Sequence, residues 1–283
     1  MITLRKYNSE LIKSLEKLYS IDEATSIAEF YICETLNYGR TDFLLAKNET
    51  LSERDYLKLS KNQFRLLQGE PVQYVTNTAW FCGRKFFVDK NVLIPRQETE
   101  LMVDNIIREN KDKSIKILDI GTGSGCIPIC IKKELDNSQV SALDISKKAV
   151  EIAQKNAVIN NVNIEFVNFD ILSENIISFK EQFDVIISNP PYVTISEKKL
   201  MHLNVLAFEP ELALFVTDEN PFIFYQAILS KIKAILKPSG VLWLEINEKF
   251  PQEIVELCKN IGFRTNNVIN DINKKPRFVR SNF

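Results

Sequence analysis

The chain has 283 residues, which is enough for one large domain or two ordinary ones. Its hydrophobic share of 45% and charged share of 26% are typical of a globular protein in water. A net charge of −1 gives no overall attraction to nucleic acid, so we do not expect a nucleic-acid partner. No apolar run approaches the roughly 18–20 residues of a membrane-spanning helix, and the charged N-terminus lacks the apolar stretch of a secretory signal. We therefore expect no membrane partner.

Five cysteines occur without the spacing of a disulfide framework, which predicts reduced thiols in a cytoplasmic protein. Cys126 and Cys130 are one helical turn apart, a spacing that is compatible with a metal site. The chain has a single histidine, His202, and no second close cysteine pair. We therefore interpret both cysteines as small buried hydrophobic residues and expect no metal.

The first part of the chain is helical in pattern. Leu, Ile and Phe recur at three- and four-residue spacing over residues 1–75, which predicts a small helical bundle. It has no titratable cluster that suggests chemistry, which favours a recognition role. Aromatic and β-branched residues then alternate over residues 72–94, around a turn at Cys82-Gly83-Arg84. The predicted domains are a helical recognition domain (1–75), a β-hairpin linker (76–95) and a third segment (96–283).

In that third segment a predicted helix, QETELMVDNIIREN, leads into alternating strands and helices. The predicted strands are IKILDI, VSALDI, NIEFVNF, FDVIISN and GVLWLEI, followed by two short strand-like pieces at the end. The predicted helices are CIPICIKKEL, SKKAVEIAQKNAVI, PFIFYQAILSKIKAIL and QEIVELCKNI. This alternation predicts an α/β fold with a mostly parallel sheet that helices cover on both faces.

Three of the eight glycines lie in the loop DIGTGSG, between the first strand of this domain and its helix. Glycines there permit a tight turn and the close approach of a ligand to the backbone. An isolated loop of this type also serves as an ordinary turn. We predict cofactor contacts for the whole loop, namely Gly121, Thr122, Gly123, Ser124 and Gly125.

Acidic residues mark the ends of three successive strands. Asp144 is placed to accept hydrogen bonds from ribose hydroxyls. Asp170 is placed to meet an adenine amino group, with Ile171 packing on the ring, and Asp119 is placed to face the amino end of an amino-acid-bearing nucleoside. Each Asp alone is equally typical of a helix N-cap, but three in register favour a nucleoside site.

The competing nucleoside ligand is NAD. Its fingerprint is G-x-G-x-x-G, whereas the third glycine here comes one position early and Cys126 stands where that motif needs Gly or Ala. The pattern D-x-G-x-G-x-G favours S-adenosyl-L-methionine (SAM).

The strand FDVIISN ends in Asn189-Pro190-Pro191-Tyr192, here called the NPPY segment. Prolines stop a strand, and a strand stop alone would explain them. Ligands of open α/β sheets bind beyond the carboxyl ends of the strands, so this segment is expected beside the SAM site.

The glycine loop and the NPPY segment together resemble SAM-dependent methyltransferases that act on planar nitrogens, either adenine N6 or glutamine N5. Four further stretches, GEPVQYV, VLIPRQETELMV, FEPELAL and LWLEI, resemble the HemK/PrmC family of release factor glutamine methyltransferases. The resemblance covers nearly the whole chain. Gln97, where the family commonly has proline, and Asn77 and Asn247, which replace frequent glycines, depart from the pattern.

The resemblance implies a Rossmann-like, seven-stranded, mostly parallel sheet with an antiparallel last strand. It implies methyl transfer from SAM, with S-adenosyl-L-homocysteine as product. The acceptor would be the side-chain amide of the glutamine in the Gly-Gly-Gln loop of class-1 peptide chain release factors 1 and 2. We predict that the protein acts as a monomer.

An amide nitrogen needs orientation rather than a general base. We predict that the Asn189 side-chain oxygen accepts one amide N–H and the Pro190 carbonyl accepts the other. Pro191 stiffens the segment, and Tyr192 is expected to stack on the amide and exclude water.

The stretch PRQETE adds Arg96, Thr99 and Glu100 as predicted substrate-binding residues. Helix capping and dipole effects explain Thr99 and Glu100 equally well. We expect Glu209-Pro210 to help cover the site, and the terminal KKPRFVR to be a strand with solvated basic side chains.

Three alternatives remain at this stage. An adenine-N6 nucleic-acid methyltransferase shares the NPPY segment, but it would be expected to carry a basic face. A ribosomal-protein glutamine methyltransferase shares the catalytic motifs and differs in its N-terminal region. A SAM-binding module without catalysis is disfavoured because both motifs are intact.

Overall fold

A computed structural model of the protein describes residues 2–174 and 182–283. The chain divides into two compact units. The first comprises Met1–Thr78 and His202–Phe208, and the second comprises Ala79–Met201 and Glu209–Phe283. Within the described ranges, no helix combines the length and apolar character that crossing a bilayer requires.

The first unit is helical, as its periodicity predicts. Its main helices are α1 (Leu4–Leu15), α2 (Ile21–Leu36), α3 (Arg40–Ala46), α4 (Glu53–Leu67) and α5 (Val72–Thr76). Thr3, Ser20 and Ser52 cap α1, α2 and α4 by accepting a backbone N–H from the first turn. Buried leucines, isoleucines and aromatic residues form one core among these helices.

The hairpin is shorter than the sequence pattern indicates. Residues 72–76 are helical, and α5 ends at Asn77 in the left-handed conformation (φ 53°), which asparagine tolerates. The hairpin strands are β1 (Ala79–Phe81) and β2 (Arg84–Phe86). Phe81 and Phe86 are buried in the core of the second unit, so the hairpin is part of that unit rather than a separate linker.

The second unit is built on a seven-stranded sheet. Its strands are β3 (Lys116–Ile120), β4 (Gln139–Asp144), β5 (Glu165–Asn168), β6 (Phe183–Ser188), β9 (Leu236–Glu245), β10 (Thr265–Asn270) and β11 (Pro276–Asn282). Their spatial order is β10-β11-β9-β6-β3-β4-β5, and β11 is antiparallel to both neighbours while the other central pairs are parallel. The predicted fold class, with its antiparallel last strand, is confirmed.

Helices cover both faces of the sheet. Their bounds are α6 (Gln97–Asn110), α7 (Cys126–Glu134), α8 (Lys147–Ile159), α10 (Ile223–Ile235) and α11 (Pro251–Ile261). One core lies under α6, α7 and α8, and a second lies under α10 and α11. A short parallel pair, β7 (Val193–Thr194) and β8 (Phe215–Val216), follows the NPPY segment. The helix α9 (Leu203–Phe208) between them groups with the first unit, although the sequence places it in residues 96–283.

The parallel strands place the site. Because β4, β3, β6 and β9 run side by side in one direction, their carboxyl ends lie at one edge of the sheet. The glycine loop follows β3 at this edge, and the NPPY segment follows β6.

Candidate active site

A cavity of about 310 Å³ opens at the carboxyl edge of the sheet, wholly within the second unit. It brings together most of the predicted site residues. Those that line it are Arg96, Thr99, Gly121, Thr122, Gly123, Ser124, Asp144, Asp170, Ile171, Asn189, Pro190 and Pro191. The cavity lining does not include Glu100, Asp119, Gly125 or Tyr192.

The glycine loop adopts a conformation that side chains disfavour. Gly123 has φ 54° and faces open space, whereas Gly125 has φ 79° and packs against α7 and α8. A Cβ atom on Gly125 would lie 3.0 Å from Ala153 Cβ and 3.1 Å from Ile129 Cδ1. The third glycine is therefore required for packing, and the second leaves the loop backbone open to a ligand.

Asp144 holds the loop in place. Its carboxylate accepts the backbone N–H of Gly123 at 2.9 Å and that of Ser146 at 2.8 Å. Burial raises the pKa of this carboxyl above its usual value, and the two N–H donors oppose the rise. Each carboxylate oxygen has a second lone pair, so Asp144 retains acceptor capacity toward the cavity that it lines.

Asp119 lies beneath the cavity rather than on its wall. It is fully buried, and neither carboxylate oxygen nor the Thr122 hydroxyl has a hydrogen-bond partner among the described residues. Burial raises the pKa of Asp119 to about 7, with the nearby Thr122 hydroxyl opposing the rise and the Asp144 carboxylate adding to it. A buried carboxylate of this kind requires a proton or a cationic donor. The ammonium group of a SAM molecule meets that requirement, so these residues fit the expected cofactor.

The NPPY segment begins where β6 ends. The Ser188 hydroxyl donates to the Ile120 carbonyl at 2.8 Å, which ties the end of β6 to the end of β3. Asn189 and Pro190 therefore face the cavity beside the glycine loop. The Asn189 side-chain nitrogen donates to Thr99 Oγ1 at 3.4 Å.

Tyr192 is anchored away from the cavity. Its hydroxyl donates to Glu245 Oε1 at 3.1 Å and lies 3.5 Å from the Arg277 guanidinium, which donates to it. Asn247 donates to the Tyr192 carbonyl at 3.2 Å. Burial and the Glu245 charge raise the pKa of Tyr192 far above its usual value, so the phenol stays protonated. The Glu245 carboxylate therefore fixes the direction of the phenol, and stacking of the Tyr192 ring on a substrate amide stays a prediction.

The three residues of the PRQETE stretch make different contacts. Arg96 pairs with Glu209, which supports the expected covering role of the Glu209 loop. Thr99 is buried and donates to Glu245 Oε2 at 2.7 Å, so its hydroxyl does not cap α6. Glu100 accepts the backbone N–H of Cys82 at 2.9 Å, and this bond steadies the hairpin turn.

Comparison with known proteins shows the family of this chain. The family described as "Methyltransferase small domain" matches residues 96–209, and the "PrmC N-terminal domain" matches residues 9–76. A release factor glutamine methyltransferase of Bacteroides thetaiotaomicron is 39% identical over 279 residues, covering 99% of this chain and all of the relative. The chain belongs to the release factor glutamine methyltransferase family. The predicted resemblance to the HemK/PrmC family is thereby confirmed.

Other matches support the same family and fold. The release factor glutamine methyltransferase of Flavobacterium psychrophilum is 38% identical, covering 99% of both chains. A methyltransferase structure from Pyrococcus furiosus has a TM-score of 0.50 at 20% identity, covering 78% of this chain and 98% of that one. At that identity the structural match supports the fold alone. The three departures from the family pattern leave the cavity wall intact, since Gln97, Asn77 and Asn247 do not line it.

Sequence reasoning missed three buried polar residues around the site. Asn156 on α8 accepts the Phe87 N–H at 2.7 Å and donates to the Phe87 and Ser124 carbonyls at 2.9 Å each. Glu245 lies within the quoted stretch LWLEI, where a single acid after three apolar residues is the signal that could have identified it. Arg277 is half-buried beside Tyr192 and Asp271, although its stretch predicted solvated basic side chains.

Proposed function

We propose that the protein transfers a methyl group from SAM to the side-chain amide nitrogen of the glutamine in the Gly-Gly-Gln loop of class-1 release factors 1 and 2. The observation that carries the proposal is the position of Asn189 and Pro190 on the same cavity wall as the glycine loop, in a chain whose full-length relatives are release factor glutamine methyltransferases. S-adenosyl-L-homocysteine is then the second product.

The protein contributes orientation and charge. Asn189 presents a side-chain oxygen and Pro190 a backbone carbonyl, and each accepts one N–H of the substrate amide. Two acceptors for one NH₂ group fix its plane and aim the nitrogen lone pair into the cavity. The bound cofactor supplies the electrophilic methyl group. Pro191 lines the cavity beside them and stiffens the backbone of the segment.

The cofactor contacts are proposed from the loop and the three acidic strand ends. Backbone groups of residues 121–125 approach the cofactor. The Asp144 carboxylate accepts hydrogen bonds from its ribose hydroxyls, and Asp170 together with Ile171 holds the adenine. Asp119 accepts the ammonium group at the base of the cavity. No metal takes part in the proposed reaction.

The helical first unit is proposed to recognise the release factor. The "PrmC N-terminal domain" match over residues 9–76 supports this assignment. This unit also exposes large apolar side chains that are suited to protein contacts: Leu18, Ile21, Leu44, Leu45, Tyr56, Leu57 and Phe64. We propose further that one chain acts alone, in the cytoplasm, where its substrate works in translation.

The other candidate substrates are less favoured. The Bacteroides and Flavobacterium relatives, which each cover 99% of this chain, are release factor glutamine methyltransferases, and this disfavours both an adenine-N6 enzyme and a ribosomal-protein methyltransferase.

The proposal is tested by incubating the protein with labelled SAM and purified release factor 1, release factor 2, ribosomal proteins or DNA. We expect label on the release factors only, and none after a Gln-to-Ala change in the Gly-Gly-Gln loop. Asn189→Ala should retain SAM binding in calorimetry and lose turnover. Label on DNA with none on release factor would contradict the proposal, and a fully active Asn189→Ala would contradict the proposed role of Asn189 as an acceptor of the substrate amide.

A further inference from the structure

One buried carboxylate is linked to both ends of the NPPY segment, directly at Tyr192 and through Thr99 at Asn189. Glu245 ends β9 and is 1% exposed, and it does not line the cavity. Its Oε2 accepts the Thr99 hydroxyl at 2.7 Å, and its Oε1 accepts the Tyr192 hydroxyl at 3.1 Å. Tyr192 closes the segment, and Thr99 contacts Asn189, which opens it.

The direction of these hydrogen bonds has a consequence for Asn189. A hydroxyl has one hydrogen, and that of Thr99 points to the Glu245 carboxylate. The Thr99 oxygen can then only accept, so it takes a hydrogen from the Asn189 side-chain nitrogen at 3.4 Å. The side-chain nitrogen of Asn189 therefore bonds to Thr99, and its side-chain oxygen remains available to accept a hydrogen bond in the cavity.

The groups around the Glu245 carboxyl act on its charge in opposite directions. Burial raises the pKa of the Glu245 carboxyl above its usual value, and the two hydroxyl donors and the positive charge of Arg277 oppose the rise. Arg277 is itself held by Asp271 at 3.3 Å and reaches the Tyr192 hydroxyl at 3.5 Å. The nearby negative charge of Glu98 adds to the rise. The charge of Arg277 and the two hydroxyl donors favour the ionised form, and in that form the carboxylate accepts only, so both hydroxyls donate to it.

We propose that Glu245 is a positioning residue, which fixes the orientation of the Asn189 amide through Thr99 and holds the far end of the NPPY segment through Tyr192. It touches neither substrate nor cofactor. Without it, the Thr99 hydroxyl is free to donate to the Asn189 oxygen, and that orientation turns the Asn189 NH₂ group toward the substrate NH₂ group. The inference rests on the proposed function, because the oxygen of Asn189 matters only if an N–H donor must be held there.

The decisive comparison is Thr99→Val against Thr99→Ser. Valine keeps the shape of threonine and removes the hydroxyl, whereas serine keeps the hydroxyl. We expect Thr99→Val and Glu245→Gln to lower kcat on release factor about 10- to 100-fold, as misoriented groups do. Thr99→Ser should stay within about threefold of the wild type. KM for release factor and Kd for SAM should change little, since most binding contacts lie elsewhere.

A matched control removes a different buried hydroxyl, that of Tyr225, which also bonds to Glu245. The hydroxyl of Tyr225 donates to the backbone carbonyl of Glu245 at 2.9 Å, whereas the Thr99 and Tyr192 hydroxyls donate to its carboxylate. Tyr225→Phe is therefore expected to leave kcat unchanged. The double variant Thr99→Val with Glu245→Gln should lose little more than the worse single variant, because both changes break one chain of hydrogen bonds.

A second readout does not depend on activity. In SAM-bound protein, the NMR signals of the Asn189 side-chain amide, assigned by their loss in Asn189→Ala, should show one hydrogen protected from exchange. Thr99→Ser should retain that protection and Thr99→Val should lose it. If wild-type protein leaves release factors unmethylated while this pattern holds, the proposed function fails and the positioning stands.

The positioning inference is overturned if Thr99→Val turns over at the wild-type rate, or if serine and valine lose activity equally. Unchanged amide protection in Thr99→Val also overturns it. Should Glu245→Gln fail to fold, the two Thr99 variants decide the question alone.

Discussion

The guanidinium of Arg96 contacts both carboxylate oxygens of Glu209, at 2.7 and 2.8 Å. The pair joins the residue before α6 to the residue that follows α9. The side chain of Glu209 is 1% exposed and that of Arg96 is 34% exposed. The backbone N–H of Ile94 adds a longer hydrogen bond to Glu209, at 3.4 Å. Glu209 therefore depends on Arg96 as the charged partner of a carboxylate that is almost out of contact with water.

Arg96→Ala should accordingly destabilise the protein. It leaves the buried Glu209 carboxylate without its cation, and we expect the free energy of unfolding to fall by about 3 kcal/mol. Urea denaturation measures the change. The control is Arg108→Ala on α6, whose partner Asp104 has a side chain that is 45% exposed. That variant should change the free energy by less than about 0.5 kcal/mol, and equal losses in both variants would contradict the buried pair.

The Arg96 pair also shows where sequence reasoning stops. Short-range patterns predicted α6 to the residue, because its apolar spacing is a property of one helix. The sheet edge at which Asp144 and Asn189 both lie was also predictable, since parallel strands end at the same edge. Arg96 was named as a site residue, but its partner is 113 residues away, and no local pattern reports a pairing over that distance.

Tyr192 illustrates the same limit within the site. The sequence places its ring next to two prolines at the cavity and suggests a lid. Its hydroxyl bonds to Glu245 at the end of another strand, and only the register of β6 against β9 brings the two together. Orientation of a side chain beyond a strand end depends on such tertiary contacts, which composition and spacing do not contain.

Asp119 should give the stability of the cofactor-free protein a distinct pH dependence. Its pKa is about 7 in the folded protein and returns to its usual 3.8 on unfolding. Between these values the folded protein keeps a proton that the unfolded chain releases. The stabilising contribution is therefore present below pH 3.8 and is lost as the pH rises through about 7. Urea denaturation of the wild type should show a lower free energy of unfolding at pH 8 than at pH 5, and Asp119→Asn should lack this decrease. Equal pH dependence in both proteins would contradict a raised pKa at Asp119.

Cofactor affinity should respond to pH in the opposite sense. The ammonium group of SAM favours the ionised Asp119, so calorimetric affinity should rise from pH 6 to pH 8 in wild type. Asp119→Asn should lack this rise. Comparing the two proteins removes the titration of the ligand's own amino group, which is common to both. A wild-type affinity that matches the variant at every pH would show that Asp119 does not meet the cofactor.

Two glycines of the same loop should respond differently to alanine. Gly125→Ala introduces a Cβ at 3.0 Å from Ala153 Cβ in a left-handed conformation, so the free energy of unfolding should fall by about 2–4 kcal/mol. Gly123→Ala meets no atom within 4 Å and carries only the conformational cost of about 1 kcal/mol. Because Gly123 lines the cavity, we expect the added methyl group to keep a ligand away from the loop backbone and to weaken SAM binding at least about tenfold. Thermal denaturation and calorimetry separate the two effects, and a larger loss of stability in Gly123→Ala would reverse the argument.

Asn156→Asp should destabilise the contact between α8 and the glycine loop. The Asn156 amide is fully buried, and its nitrogen donates to the carbonyls of Phe87 and Ser124. An aspartate of the same shape places an acceptor against both carbonyls and buries a charge, so we expect a loss of about 3 kcal/mol. Gln154→Glu makes the same amide-to-acid change at an exposed position of α8 and should change stability by less than about 0.5 kcal/mol.

The loss in Asn156→Asp should also depend on pH in a direction set by the buried carboxyl. Burial beside two carbonyl oxygens raises the pKa of the new acid above its unfolded value, because only the protonated form can donate to a carbonyl. The penalty should shrink as the pH falls toward 5 and grow as it rises toward 8. Urea denaturation of both variants at the two pH values measures this difference. A penalty that is equal at pH 5 and pH 8, or one that Gln154→Glu shares, would show that the amide donors of Asn156 do not hold the loop.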